Sequence, residues 1–312
     1  MNKKRKKFLH KYGVPIVLLL TVLIIQLLNP HHKLLSYANI SLILIQSTIL
    51  AIISLALALI MISGETDMSI QGIIGLLSIT FSMALSNGKH PMVSLLMAIL
   101  LGVAVGLGQG LLITKMGLSS FIITITVMFI AMGAEKMYNA GNTIWLEHEG
   151  VKAIGTSYAA GLPVLAWIAI ICYVIGYLLV NNTKFGFQLR ITGENEQAAK
   201  EVGIRTWKLK IITFIIAGVL YGIASAIEPI RTGGTMLYSG KYYLLPAMAA
   251  CYLGSTMFVP GRVNIIGTFI GAVFMSVISN FMTFLGATYF VVPLVEGAIL
   301  LATVMFANIY HR

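Results

Sequence analysis

The chain alternates between long apolar runs and short polar breaks over almost its whole length. A helix of about 20 apolar residues is long enough to cross the hydrocarbon core of a bilayer. The pattern therefore predicts an all-α, polytopic membrane protein with about ten transmembrane helices. The predicted spans are 13–29, 42–63, 69–86, 92–114, 119–137, 163–181, 209–227, 242–257, 264–284 and 290–309. The third and eighth are short, and we expect them to be tilted, broken or partly re-entrant.

The composition excludes an ordinary soluble domain. Hydrophobic residues make up 58% of the 312 positions and charged residues 10%, whereas about 25% of an ordinary soluble domain is charged. Residues 1–312 are predicted to form a single transmembrane domain, because neither polar segment, 138–162 or 182–208, is long enough to build its own core. The net charge of +11 comes from basic residues between apolar runs, so we expect no nucleic-acid partner.

The basic residues predict the orientation in the membrane. With the N-terminus inside and ten crossings, 15 of the 21 Lys and Arg residues fall on the cytoplasmic side, as the positive-inside rule requires. Residues 1–12 are strongly basic, and no small-x-small cleavage site follows the first apolar run. We interpret them as the cytoplasmic flank of an uncleaved first helix. Both termini and 182–208 are then cytoplasmic, and 138–162 is an outer loop.

Motifs of ATPases and of common enzymes are missing from the sequence. It contains no G-x-x-x-x-G-K-[ST] loop, no H-E-x-x-H and no C-x-x-C. We expect no catalytic residue, no metal site and no cofactor bound by this chain. Glu296 is the one clear acid that we place well inside a predicted span. A proton or ion relay needs several ionisable groups within the membrane, so a single acid gives little support for one. This pattern favours a translocation path whose energy comes from another subunit.

A short helix is predicted at residues 194–202, which are rich in helix formers and have a glycine on either side. Its small apolar stripe could dock into a groove on a partner, or it could pack against the ends of the chain's own helices. The spacing leaves both interpretations open. The stripe consists of Ala198, Ala199 and Val202.

Four stretches resemble one transport family. Gly193, Ala198-Ala199 and Gly203-Ile204 are similar to the cytoplasmic coupling loop of permease subunits in ribose-type sugar ABC importers. This group includes the ribose, xylose, galactose and autoinducer-2 systems, and branched-chain amino acid permeases are more distantly related. The other three stretches are similar to the family's Gly-x-Ile-Asp-Leu-Ser signature, its glycine-rich helix with Phe-Ile-x-Thr-Leu, and its Leu-Gly-Gly…Gly-Gly-Arg-Gly…Gly-Thr stretch. They are residues 64–69, 110–124 and 253–268.

Several positions depart from the family pattern. Thr66 stands where the signature has isoleucine, and Gln71 where it has glycine. Ser255, Pro260 and Val263 replace glycines in the last stretch. These departures affect the expected substrate more than the expected fold.

The resemblance implies a permease subunit of an ABC importer for a monosaccharide or a similar small polar solute, in the plasma membrane of a bacterial-type cell. The implied partners are a cytoplasmic ABC ATPase that binds ATP and Mg, an extracytoplasmic solute-binding protein, and a second permease copy or sister permease. The Gly193→Arg and Ala199→Glu variants would uncouple transport from ATP hydrolysis. The residues implied in coupling are Gly193, Glu194, Glu196, Ala198, Ala199, Gly203 and Arg262.

Polar residues between and within the spans are candidates for the substrate path. Asp67 and Ser69 lie in the break between the second and third spans, where a helix cap suits them better than substrate contact. Glu296 could face the path or be hydrogen-bonded within the bundle. Three glycines spaced by four residues predict a small-residue face for close helix packing. They are Gly102, Gly106 and Gly110.

Two other classes of function compete with this one. An ion- or proton-coupled secondary transporter would use Glu296 as its coupling site and would need no ATPase. An intramembrane enzyme ranks lower, because the sequence shows no paired catalytic groups at membrane depth.

Overall fold

The computed structural model describes residues 16, 18–24, 26–27, 35–138, 140–259, 261–287 and 291–309. The described chain is mainly helical. Two pairs of two-residue antiparallel strands and a single 3-10 turn at Ser239–Tyr242 complete it. The helices are α1 (Tyr37–Ile62), α2 (Ile70–Ser86), α3 (Pro91–Lys115), α4 (Ser120–Tyr138), α5 (Glu149–Thr156), α6 (Val164–Asn182), α7 (Lys184–Glu194), α8 (Glu196–Glu201), α9 (Thr206–Thr232), α10 (Leu244–Ser255), α11 (Ile265–Phe284) and α12 (Val291–Ile309). The strand pairs are β1 (Ile144–Trp145) with β4 (Gly234–Thr235), and β2 (Tyr158–Ala159) with β3 (Leu162–Pro163).

Local capping residues define several helix ends. The Asn264 side chain accepts a hydrogen bond from the Gly267 N–H at 2.8 Å and so begins α11. Pro91 stands at the first position of α3, where its missing N–H costs no hydrogen bond. Gly233 has a φ of +82° and ends α9, its N–H donating to Pro229 O. These boundaries follow from the sequence itself.

Of the six helices that are long and apolar enough to cross a bilayer, the most buried are α1 and α9, which pack against each other at the centre of the bundle. In the apolar stretches of these two helices, 83% and 72% of residues are buried, against 33% in α3, 22% in α4 and 33% in α6. The outer helices expose large apolar side chains, such as Leu100, Phe129 and Ile175. Such a surface suits lipid, which is as apolar as these side chains.

Among the described residues, six helices are long and apolar enough to cross a bilayer: α1, α3, α4, α6, α9 and α11. Two shorter apolar helices correspond to the predicted third and tenth spans, α2 and α12. The predicted eighth span, 242–257, is broken: a 3-10 turn precedes α10, which has 12 residues. At 1.5 Å per residue α10 is about 18 Å long, too short to cross a core of about 30 Å. Of the predicted first span, residues 18–24 are helical, and most of its remainder lies outside the described residues.

The two polar segments lie at opposite ends of the bundle, because α6 runs the length between them. Residues 138–162 form β1, α5 and β2. Residues 182–208 form α7 and α8, and the short helix predicted over 194–202 is confirmed as α8, Glu196–Glu201. Asn195 separates it from α7 with a φ of −156°, and its side chain accepts the Ala198 N–H at 3.0 Å. We call the end that holds 182–208 the basic end.

Candidate functional site

At the basic end, the C-terminus of α7 lies directly against the C-terminus of α1. A Cβ added to Gly193 would lie 2.1 Å from the Ile62 carbonyl oxygen. A Cβ added to Gly64, whose φ is +84°, would lie 3.1 Å from the Gly193 Cα. The two backbones therefore touch, and α7 rests on α1, one of the two central helices. The Gly193→Arg variant would disturb this internal contact before it could report on a partner.

A second attachment between the 182–208 segment and the core is an ion cluster around Lys210. The Lys210 Nζ lies 2.5 Å from a carboxylate oxygen of Glu65 and 2.5 Å from one of Glu196. Glu196 also accepts a hydrogen bond from the Thr206 hydroxyl at 3.1 Å and pairs with Lys200 at 2.9 Å. Lys210 is 8% exposed and the Glu65 side chain is 12% exposed, so little water screens their contact, whereas the Glu196 side chain is 38% exposed.

The cluster keeps Glu196 ionised. Burial alone would raise the pKa of the Glu196 carboxyl, but the hydrogen bonds from Lys210 and Lys200 outweigh burial and lower its pKa to about 2. Glu196 therefore remains an anion at neutral pH. α8 is thus held to α9 by a charge that does not titrate near neutral pH.

A groove of about 650 Å³ opens beside the contact between α7 and α1. Glu194 and Arg262 lie on its wall and form an ion pair at 3.1 Å. Both side chains are about half exposed, at 48% and 62%, so the pair contributes little to stability. Gly193 also lines the groove. The structure therefore brings together three of the residues implied in coupling.

The apolar stripe of α8 is divided between two surroundings. Ala199 is fully buried in the chain's own core, whereas Ala198 is exposed and Val202 is 73% exposed. Ala199→Glu would therefore force a carboxylate into the interior, and its effect would not report on docking. Gly203 has a φ of +81°, and the following residue, Ile204, donates its N–H to Ala199 O. This is the left-handed stop of a short helix, for which glycine suffices.

Asp67 and Ser69 lie in the break between α1 and α2, and both are buried. Ser69 occupies the N-cap position of α2, but its hydroxyl makes no capping bond to the helix. It donates instead to Asp67 Oδ1, which also accepts the Ser69 N–H at 2.8 Å. The other oxygen of Asp67 accepts the Tyr221 hydroxyl at 2.8 Å, from α9. Asp67 therefore links the break to the central helix.

Buried acids in the bundle are more numerous than the sequence suggested. Glu296 on α12 is 8% exposed, and the described residues give it neither a hydrogen bond nor an ion pair. Glu135 on α4 is fully buried, and one of its oxygens accepts the Tyr238 N–H at 2.7 Å. Glu228 on α9 is 5% exposed and accepts the Tyr243 hydroxyl at 2.5 Å. Glu296 is therefore not the only buried acid among the described residues, although Glu135 and Glu228 lie close to the ends of their helices.

Comparison of the sequence with known protein families identifies the family of this chain. A family described as branched-chain amino acid transport system / permease component matches residues 39–307. The chain belongs to this family. It is a multi-pass permease of the cell membrane.

Curated relatives of the permease match it over most of their length. It is 31% identical to ribose import permease protein RbsC of Bacillus subtilis (strain 168), over 95% of this chain and 92% of that protein. It is 27% identical to RbsC of Escherichia coli (strain K12), over 97% and 95%. It is 26% identical to autoinducer 2 import system permease protein LsrC of Yersinia pseudotuberculosis serotype O:1b (strain IP 31758), over 87% and 77%. No solved structure gives a significant match.

In the permease, the three spaced glycines of α3 face α9. A Cβ on Gly102 would lie 2.3 Å from the Gly218 carbonyl oxygen, and one on Gly106 would lie 2.2 Å from the Phe214 carbonyl oxygen. A Cβ on Gly110 would lie 2.9 Å from Ile211 Cα. The two helix backbones are in contact along this face, so the glycines lie in a helix interface.

Sequence reasoning about the permease did not single out Glu65, Lys210, Tyr221 or Glu135. The available signal for Glu135 was an acid inside a predicted span, the same signal that drew attention to Glu296. For Lys210 it was a lysine just inside the start of a predicted span. Glu65 and Tyr221 carry no such signal, because their partners are distant in sequence.

Proposed function

We propose that this permease is the transmembrane subunit of an ATP-driven ABC importer, and that it carries a monosaccharide or a similar small polar solute. The family assignment supports the permease role. The ribose import and autoinducer 2 import permeases among its relatives support a small polar cargo. The ATPase that binds ATP and Mg is a separate subunit, so this chain is not itself an enzyme.

The proposed topology has ten crossings with both termini in the cytoplasm. The eighth crossing is made by α10 together with the irregular backbone on either side of it, which returns the chain to the Arg262–Glu194 pair at the basic end. The loops assigned to the cytoplasm on charge, around Lys115, in 182–208 and around Arg262, lie together at the basic end. An importer would receive its solute from an extracytoplasmic binding protein at the opposite end. Two permeases, identical or sister chains, would enclose the path between them.

The observation that carries the proposal is the attachment of α7 and α8 to the core. An element that docks an ATPase must expose one of its faces to solvent and be attached to the transmembrane helices by another face. α8 exposes Ala198 and Val202, while Glu196 and Ala199 hold it to the bundle. Movement of a docked ATPase would thus reach the helices and switch access between the two sides of the membrane.

Co-purification with the ATPase tests this docking surface. Val202→Glu places a charge at the exposed end of α8 and should weaken assembly about tenfold, as for a central interface residue. The matched control is Met236→Glu, a 54% exposed residue at the opposite end, which should assemble as the parent does. The thermal midpoint of the isolated chain should be unchanged in both variants. Equal assembly of Val202→Glu and the parent would contradict the docking role.

Uptake into proteoliposomes distinguishes the importer from a secondary transporter. Glu296, which is buried and has no partner among the described residues, is the observation that favours the alternative. An importer should require the ATPase, ATP and Mg, and should be insensitive to a protonophore. Uptake by the chain alone that collapses with a protonophore and is lost in Glu296→Gln would establish the alternative instead. Screening which solutes stimulate ATP hydrolysis by the assembly would identify the cargo.

A further inference from the structure

Lys210 joins three segments of the chain at a buried point. It projects from the beginning of α9, and its two carboxylate partners come from elsewhere: Glu65 from the loop after α1, and Glu196 from α8. The side chains of Lys210 and Glu65 are 10% and 12% exposed. The ammonium group therefore has two anionic partners, of which Glu65 is nearly buried and Glu196 is 38% exposed.

Stability alone does not account for such a cluster. Taking charges out of water costs several kcal/mol, and apolar residues of similar size often hold a site as well or better. Losing one partner, however, leaves a buried charge uncompensated, which is strongly unfavourable. The three segments are therefore held in one relative geometry, and a displacement of one segment moves the other two.

The loop that carries Glu65 leads further into the bundle. Two residues beyond Glu65, Asp67 accepts the hydroxyl of Tyr221 on α9. The backbone N–H of Met68 donates to the Thr124 hydroxyl on α4 at 3.0 Å. The Lys210 cluster is thus continuous, through one short loop, with buried contacts to two transmembrane helices.

The other attachments of the 182–208 segment are of a different kind. The Arg262–Glu194 pair is about half exposed and screened by water. The contact of Gly193 with α1 is a backbone contact without a bonded partner. Of the attachments described here, the Lys210 cluster is the buried and charged one.

We propose that Lys210 is the positioning residue that transmits movement of α8 to the α1–α2 break and to α9. This inference rests on the proposed function, because it takes α8 to be the element that the ATPase moves. Glu196 receives the displacement on α8, Lys210 carries it to α9, and Glu65 carries it to the loop that ends at α2.

The test measures solute imported per ATP hydrolysed, in proteoliposomes that contain the complete importer. Lys210→Met keeps the length of the side chain and removes its charge, and we expect the ratio to fall about tenfold. Lys210→Arg keeps the charge and should restore most of the ratio. Glu65→Gln keeps the size of its side chain and leaves Glu196 to pair with Lys210, so it provides a milder second variant in which the ratio should also fall.

Lys152→Met is the matched control, because it removes a Lys–Glu pair of 2.8 Å on the surface of the opposite end. Its ratio should equal that of the parent. A ratio for Lys210→Met within about twofold of the parent would overturn the inference. So would variants that lower only the yield of folded importer while the folded fraction keeps the parental ratio. A parent chain that imports nothing with its ATPase would instead overturn the proposed function.

Discussion

Individual glycines determine how closely the helices of this permease approach one another. Gly106 and Gly108 lie on the same helix, two positions apart, and differ completely in surroundings. A Cβ on Gly106 would meet a carbonyl oxygen of α9 at 2.2 Å, whereas a Cβ on Gly108 would meet nothing within 4 Å. The absence of a side chain is required at the first position and not at the second.

This difference predicts opposite effects of the same substitution. Gly106→Ala should destabilise the permease by about 1–3 kcal/mol through overpacking. Gly108→Ala should leave stability unchanged or raise it by up to about 1 kcal/mol, because alanine favours helix more than glycine does. Thermal midpoints of the purified chain in detergent would measure both. Equal midpoints for the two variants would contradict the packing of α3 on α9.

Buried tyrosine hydroxyls offer a second comparison of single residues. Tyr221 donates to a carboxylate oxygen of Asp67, and Tyr173 donates to the Ala51 carbonyl oxygen at 3.0 Å. Tyr221→Phe leaves a buried carboxyl oxygen without this donor and should cost about 1–3 kcal/mol. Tyr173→Phe should cost less, about 1 kcal/mol or below, since the Ala51 carbonyl also belongs to the hydrogen bonds of α1. A smaller loss for Tyr221→Phe than for Tyr173→Phe would argue against the Asp67 link.

At the scale of elements, α8 shows how a very short helix is maintained. With six residues it is far below the length of about 12–15 residues at which isolated helices become even marginal in water. Asn195 caps its beginning and Gly203 ends it. The attachment of Glu196 to Lys210 supplies the tertiary contact that such a helix needs.

This attachment has a defined pH dependence. The pKa of Glu196 is lowered from 4.5 to about 2, so ionised Glu196 contributes its full stabilisation above pH 4.5 and loses it as the pH falls towards about 2. The difference in thermal midpoint between the parent and Glu196→Gln should be constant from neutral pH down to about 5 and should shrink below 4.5. A difference that already shrinks near neutral pH would show that Glu196 is not held by Lys210.

At the scale of the whole molecule, the proposed orientation places Val202 in the cytoplasm and Met236 outside. Both native cysteines, Cys172 and Cys251, are buried, so they should not react with a membrane-impermeant thiol reagent. In intact cells, such a reagent should label Met236→Cys and should label Val202→Cys only after the membrane is permeabilised. The reverse pattern would invert the topology and remove α8 from the reach of a cytoplasmic ATPase.

Much of this architecture could be predicted from the order of apolar and polar residues. The run that became α6 and the run that became α9 are recognisable because a bilayer requires long apolar helices. The short helix over 194–202 was predicted, but it begins two residues later, at Glu196, because the side chain of Asn195 caps it there. The short α10 was anticipated only as an irregular span, since its length depends on its packing against neighbouring helices.

The sequence by itself determined that the protein is a helical membrane permease, where most of its helices lie, and which loops carry positive charge. These properties depend on hydrophobicity and charge summed over many neighbouring residues, and such sums can be read along a chain. Only the tertiary structure decided which face of α8 is exposed, that Gly193 touches α1, and that Lys210 joins Glu65 to Glu196. Those contacts connect residues that are distant in sequence, and a side chain's partner across a bundle depends on how the helices pack.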